Sequence, residues 1–386
     1  MTGSALLAKR PRLREDLLVS RALRRGPDTV HLVKDRTGGR AFEVTAKEHF
    51  LMVRLDGSRS LADIGEQYAA RFGRRLGDDH WTRLLWLLHE RNLLHPPAAA
   101  AVARPAAVEL RRGVRWFGWT LSLPVLAVLC VLAAASPAAV ALCLDPLWQA
   151  ARPAFGDPVS WLLLGLLAWI SAAAHEFAHG VAAVRLGATV TRINLVTLTC
   201  RVEDYQYLPR RAHQIAIAAA GAVANGLLLA PVWAAALATG PGHPAHPVLC
   251  AYLLVGSVQT LVNLVPLAPL DGYKIVSHAL GMLDLATESR RYLSTLPRRL
   301  LRRRGPAYPA GTAAWLGLYA AWWLLAVAAV AAAVSYGAGR WLEPALGASS
   351  YLLPAAAVTL TVAGWLARPR PHRSRSDNPQ IPKGES

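Results

Sequence analysis

Charge is scarce in this 386-residue chain: 17% of residues are charged and 54% are hydrophobic. Soluble domains carry about 25% charged and about 45–50% apolar residues, so the composition points to an integral membrane protein. Lysine is scarcer still, with Lys9, Lys34, Lys47, Lys274 and Lys383 the five among 42 basic residues. This arginine bias fits a GC-rich bacterial genome. The four cysteines, Cys130, Cys143, Cys200 and Cys250, are far apart with no C-x-x-C pair, which excludes a disulfide framework and a cysteine-type zinc site. Residues 1–28 are arginine-rich and lack the apolar stretch of a cleavable signal, so the amino terminus is expected to stay in the cytoplasm.

Acidic residues are also few, 24 against 42 basic, leaving a net charge of +18. Such a balance suits nucleic acid in principle, but here the arginines flank apolar runs, where they set membrane orientation and attract anionic lipid. No nucleic-acid partner is expected; the lipid bilayer is.

What the chain does have is His175-Glu176-Phe177-Ala178-His179 inside an apolar stretch from Val159 to Val184. Residues four apart on a helix share a face, so both imidazoles aim at one point. Two neutral histidines leave tetrahedral Zn²⁺ needing one more protein ligand and an open position, where bound water falls to a pKa of about 7. Glu176 stands beside them as the base. A chance pattern would have to place three ionisable groups in one span, each carboxylate costing about 2.5–3.5 kcal/mol near the centre, and ionisable groups within membranes mark function.

The fold class read from the pattern is mainly α: a six-helix membrane protein with a small amino-terminal α+β winged-helix-like domain. Residues 1–28 read as irregular. Thr29–Val33 and Arg40–Thr45 flank Asp35-Arg36-Thr37-Gly38-Gly39 as a β-hairpin. Capping patterns at Thr45/Glu48 and Ser60/Asp63 start two helices, and a third runs from about Asp78 to Arg91. This makes a domain over 1–95, followed by an Ala/Pro linker (96–113). A membrane core spans 114–275, a basic cytoplasmic loop 276–311, two further spans 312–367 and a basic tail 368–386. The six spans fall at about 116–142, 159–184, 213–238, 248–270, 312–336 and 350–366. Arginine clusters between 185 and 211 and between 290 and 304 belong inside by the positive-inside rule, which puts both termini in the cytoplasm.

The third ligand must be a carboxylate or histidine at similar depth. Asp271 closes Asn263-Leu-Val-Pro266-Leu-Ala-Pro269-Leu-Asp271-Gly272 at the end of the fourth span and is the first choice; Glu203 or Asp204 compete. H-E-x-x-H in one span with N-x-x-P-x-x-P-L-D-G ending a later one resembles the site-2 protease family of intramembrane zinc peptidases. The resemblance implies one Zn²⁺ held by His175, His179 and Asp271, with Glu176 as catalytic base. Gly221-Ala-Val-Ala-Asn225 resembles the family's Gly-Pro-x-x-Asn segment, with Ala222 in place of proline. Asn225 and Asn263 are candidate substrate-binding residues, or interhelical glue worth about 0.6 kcal/mol. His213 or an asparagine is placed to steady an oxyanion, His213 equally marking the membrane boundary. Thr189–Glu203 is rich in strand formers, and in family members such a segment holds an extended substrate by strand addition.

The amino-terminal domain resembles the winged-helix elements that bind leader peptides of ribosomally made natural products, as in daptide-type clusters. It implies a bacterial inner-membrane protease that captures a precursor peptide and removes its leader. Two alternatives stay open: regulated cleavage of a membrane-anchored anti-sigma factor, and a non-catalytic scaffold or export partner, which would have no use for Glu176.

Overall fold

A computed structural model describes residues 3–35, 41–95, 108–300 and 307–347, with scattered positions between 350 and 360. The chain is mainly helical. In order it forms α1 (Gly3–Leu7), β1 (Leu17–Val19), β2 (Leu23–Arg25), β3 (Asp28–Asp35), β4 (Ala41–Thr45), α2 (Ala46–Met52), α3 (Leu61–Phe72), α4 (Asp78–Glu90) and α5 (Val108–Phe117). Then come α6 (Leu123–Leu142), α7 (Leu144–Phe155), α8 (Pro158–Arg185), β5 (Thr189–Asn194), β6 (Thr199–Glu203), α9 (Arg211–Thr239), α10 (His246–Leu264), α11 (Asp271–Leu280), α12 (Leu285–Leu300) and α13 (Ala310–Leu346). These elements fall into two compact units.

One unit joins Arg14–Val53 to His95–Asp284. Its amino-terminal sheet centres on β3, which pairs antiparallel with β4 on one side and with β1 and β2 end to end on the other. Val33, opposite both Val19 and Phe42, is fully buried. The expected hairpin is present, its tip at 36–40 lying outside the described residues. The expected irregular segment 1–28 instead contains α1, β1 and β2. Three-residue strands are too short to show alternation, and the charges of the segment are not all solvated: Arg14, just before β1, is buried and pairs with Asp16 and Asp35. Thr45 and Glu48 form the reciprocal cap that starts α2.

Helices α6, α8, α9 and α10 are long and apolar enough to cross a membrane, as is α13 of the other unit. Large apolar side chains point outward from them, including Val131, Leu142, Leu162 and Leu237, a surface that suits lipid better than water. Asp157 caps α8 by accepting from the Val159 and Ser160 amides, with Pro158 in the first turn. Gly226 lets α9 meet α6, since a Cβ there would sit 2.4 Å from the Ala133 carbonyl oxygen.

Two expectations are corrected here, and one connector gains a helix of its own. The first span begins at Leu123, because Arg111 to Phe117 belong to the separate helix α5, and a tight turn over Gly118–Leu121 intervenes. The connector after α6 is helix α7, whose Leu147, Ala151 and Ala154 are buried in the membrane core; Asp145, Arg152 and Pro153 hid its apolar face. The fourth span ends at Leu264, not 270. Pro266 and Pro269 break the helix, and Asp271 opens α11 after the bend.

The other unit joins Met1–Leu13, Arg54–Leu94 and Leu285–Ser386. In it α3 and α4 bury Leu61, Ile64, Tyr68, Trp81, Leu84 and Leu88. Ser60 and Asp63 cap α3, and Gly73 ends it in the left-handed conformation. Helix α12 packs on α13. The expected span at 350–366 lies largely outside the described residues, as do most of the 96–113 linker and the tail past 367.

Candidate metal centre

The site assembles where α8, α9 and α11 meet. His175 and His179 stand one turn apart on α8, with ring centroids 4.7 Å apart and planes nearly perpendicular. Their Nε2 atoms are 3.1 Å apart. Asp271 Oδ2 lies 2.9 Å from His175 Nε2 and 3.0 Å from His179 Nε2, and all three side chains are buried. Asp271 reaches them because the proline-rich bend places it in the first turn of α11, directed back at α8.

The hydrogen bonds behind the cluster test whether it suits a cation. His179 Nδ1 lies 2.6 Å from the Ile217 carbonyl oxygen of α9. A carbonyl only accepts, so Nδ1 carries the proton and Nε2 presents its lone pair. That lone pair faces the Asp271 carboxylate oxygen at 3.0 Å, an acceptor–acceptor contact that is repulsive unless a proton or metal ion stands between. Lys274, one turn on from Asp271, donates to its other oxygen at 2.8 Å and orients the carboxylate. Three donor atoms with supporting partners of this kind match a metal centre.

Gly221 supplies the room. A Cβ there would lie 2.5 Å from His175 Cε1 and Nε2, so α9 passes the imidazole only because position 221 has no side chain. One turn further, Asn225 is buried and accepts from the Ser171 hydroxyl at 3.2 Å, linking α9 to α8 one turn before His175. The Asn225 amide nitrogen is buried with no hydrogen-bond partner among the described residues. Asn263 sits in the last turn of α10 and its side chain makes no hydrogen bond among the described residues. His213 lies in the first turn of α9, with no bond to the cluster.

Glu176 is half-buried on the next position of α8, with no hydrogen bond or ion pair among the described residues. The hairpin of β5 and β6, expected from composition, lies beside it. Ile193 Cδ1 and Cys200 Sγ would be 3.3 and 3.5 Å from a Cβ on Gly180. Burial, reinforced by the nearby Glu176 carboxylate, pushes the Cys200 thiol up to about 12. The rival ligands Glu203 and Asp204 turn elsewhere, to Lys34 of β3 at 3.3 and 2.6 Å.

Sequence reasoning missed Lys274, the Ile217 carbonyl and Ser171. Lys274 was detectable in principle, as a rare lysine three residues past the carboxylate; a backbone carbonyl leaves no such trace. Comparison with protein-family models, curated proteins and solved structures finds no match to this chain.

Proposed function

We propose that the chain is a zinc metalloendopeptidase of the site-2 protease kind, working in the bacterial inner membrane. The observation that carries the reading is the convergence of two imidazole nitrogens from α8, a helix of membrane-spanning character, and one carboxylate oxygen from the start of α11, each about 3 Å from the others, with Glu176 adjacent. Zinc bound by His175, His179 and Asp271 would supply a Lewis acid that polarises a scissile carbonyl and acidifies water. Glu176 takes the proton as the water oxygen bonds to the carbonyl carbon, then returns it to the amine nitrogen as the C–N bond breaks. Glu176 is half-buried and pairs with no other group among the described residues, which supports this role by leaving the carboxylate for water.

A transmembrane substrate must unwind before cleavage, since a helix satisfies its own carbonyls. An edge of the β5–β6 hairpin, beside Glu176, offers main-chain partners for the extended segment. The substrate class favoured by the amino-terminal region is a precursor peptide whose leader adds to the outer edge of β4, a strand with β3 as its one partner among the described strands. Arginine asymmetry supports six spans with both termini in the cytoplasm.

The purified full chain should hold one Zn²⁺, and the His175→Ala/His179→Ala double variant should lose it. Glu176→Gln should retain zinc and abolish turnover of peptides encoded beside the gene, read by mass spectrometry. Stoichiometric zinc without both histidines, or normal turnover in Glu176→Gln, removes the reading. Reporter fusions after Gly242 and after Arg304 should report opposite sides of the membrane.

A further inference from the structure

The amino-terminal sheet is joined to the membrane core at several points. Main-chain bonds at both polar groups of Arg24, to Gly281 and Leu283 at 2.8 Å each, tie β2 to the turn that ends α11. Arg25 pairs with Asp284 at 3.1 Å, and Arg21 donates to the Pro209 carbonyl at 3.1 Å, just before α9. At the end of β3 that pairs with β1, the Lys34 ammonium donates to Asp204 at 2.6 Å and to Glu203 at 3.3 Å, where β6 ends. These attachments fall on the elements that carry the site: α11 holds Asp271, α9 holds Ile217 and Gly221, and β6 lies beside Glu176.

Lys34 is the most informative of them. Its side chain is 10% exposed and that of Asp204 18%, so this is no solvated surface pair of negligible worth. Burial opposes the ammonium charge, but Asp204 and Glu203 outweigh it and hold Lys34 above its ordinary value. Asp204 itself sits in the left-handed region, at φ 64°, which few residue types other than glycine adopt readily. Its backbone is held in an uncommon conformation where its carboxylate meets the lysine.

We propose that Lys34 is a positioning residue: through Asp204 and Glu203 it seats the β5–β6 hairpin against α8 beside Glu176, so that the amino-terminal sheet forms part of the catalytic apparatus. The catalytic half of this inference rests on the peptidase reading above; the positional half does not. Recognition of a peptide on the sheet and alignment of a scissile strand on the hairpin are then mechanically linked through one ion pair.

Cys200 reports the hairpin's seating without any substrate, because its thiol faces Gly180 and Glu176. In the full-length protein in detergent, alkylation of Cys200 is followed by peptide-resolved mass spectrometry, with zinc content measured in parallel. Lys34→Met should raise the Cys200 labelling rate about tenfold, as expected when a buried charged hydrogen bond that closes a local opening is lost, with zinc retained. Lys34→Arg should stay near wild type, and Asp204→Asn, which tolerates the left-handed backbone but removes the carboxylate 2.6 Å from the ammonium, should raise labelling as Lys34→Met does. If Lys34→Met does not fold, Asp204→Asn breaks the same pair from the other side. Unchanged Cys200 labelling on breaking the pair, or labelling in Lys34→Arg as fast as in Lys34→Met, overturns the inference. In peptide cleavage the broken pair should lower kcat with KM held. A wild-type protein that cleaves nothing removes the peptidase reading and leaves the labelling result to decide the positional one.

Discussion

Gly221 of α9 and His175 of α8 approach so closely that a methyl group on the glycine would overlap the imidazole, at 2.5 Å from two of its ring atoms. The ligand's position is therefore set by an absence on the neighbouring helix. An overpacked core contact costs about 1–3 kcal/mol, whereas glycine to alanine in an open helix position gains about 1 kcal/mol.

Gly221→Ala should accordingly weaken zinc retention by roughly ten- to hundredfold, while Gly165→Ala on α8, with nothing within 4 Å of its added Cβ, should leave zinc unchanged. Chelator competition on both purified variants measures the difference. Equal zinc affinity in the two would mean that His175 moves aside without penalty.

What was legible in the sequence was local and periodic. His175 and His179 converge because a helix dictates it, and the capping residues Thr45 and Ser60 start helices through bonds that span three residues. Asp271 was legible by its place after two prolines, though not its position at a helix start. What escaped was decided by partners distant in sequence. Helix α7 is defined by burial against α10, and β1 and β2 exist because β3 offers them an edge. Glu203 and Asp204 looked like ligands until Lys34, some 170 residues earlier, was seen to claim them.

Lys274 holds the second oxygen of Asp271 at 2.8 Å, leaving Oδ2 for the histidine pair. Removing such an outer partner lowers metal affinity by about 10–100-fold in well-studied sites. Lys274→Met should do so here while keeping the fold, and Lys274→Arg should recover part of the loss. Isothermal titration of zinc into the apo-protein is the measurement, and an unchanged affinity in Lys274→Met would show that Asp271 is oriented by its helix alone.

His278, two turns along from the start of α11 and edge-on to Tyr205 at 5.1 Å, is pushed down to about 4 by burial, with Lys274 adding to the effect. Because its folded value lies below the unfolded value of about 6.5, the unfolded chain takes up the proton first as pH falls. Its contribution is complete above about pH 6.5 and is lost progressively towards pH 4, by about 3 kcal/mol at most. Melting temperature in detergent should therefore drop between pH 7 and pH 5, and His278→Gln should shrink that drop. An identical pH dependence in the variant would assign the acid sensitivity to other groups.

Arg112 and Arg115 of α5 and Arg185 at the end of α8 are exposed and have no carboxylate partner among the described residues. They share one region, since the Arg185 side chain lies 3.3 Å from a Cβ placed on Gly118. Trp116 and Trp119 are exposed alongside, at 67% and 63%. Guanidinium groups beside outward-facing indoles suit the headgroup layer, where each basic residue gains about 1 kcal/mol from anionic lipid. The wild-type protein should therefore melt higher in nanodiscs of phosphatidylglycerol than of phosphatidylcholine, and the variant with all three arginines changed to glutamine should lose most of that difference. Inorganic phosphate in solution should not substitute for the lipid, because the indoles need an acyl boundary as well as an anion. A triple variant that keeps the full lipid preference would place the headgroup contacts on other arginines, those of the 290–304 segment first.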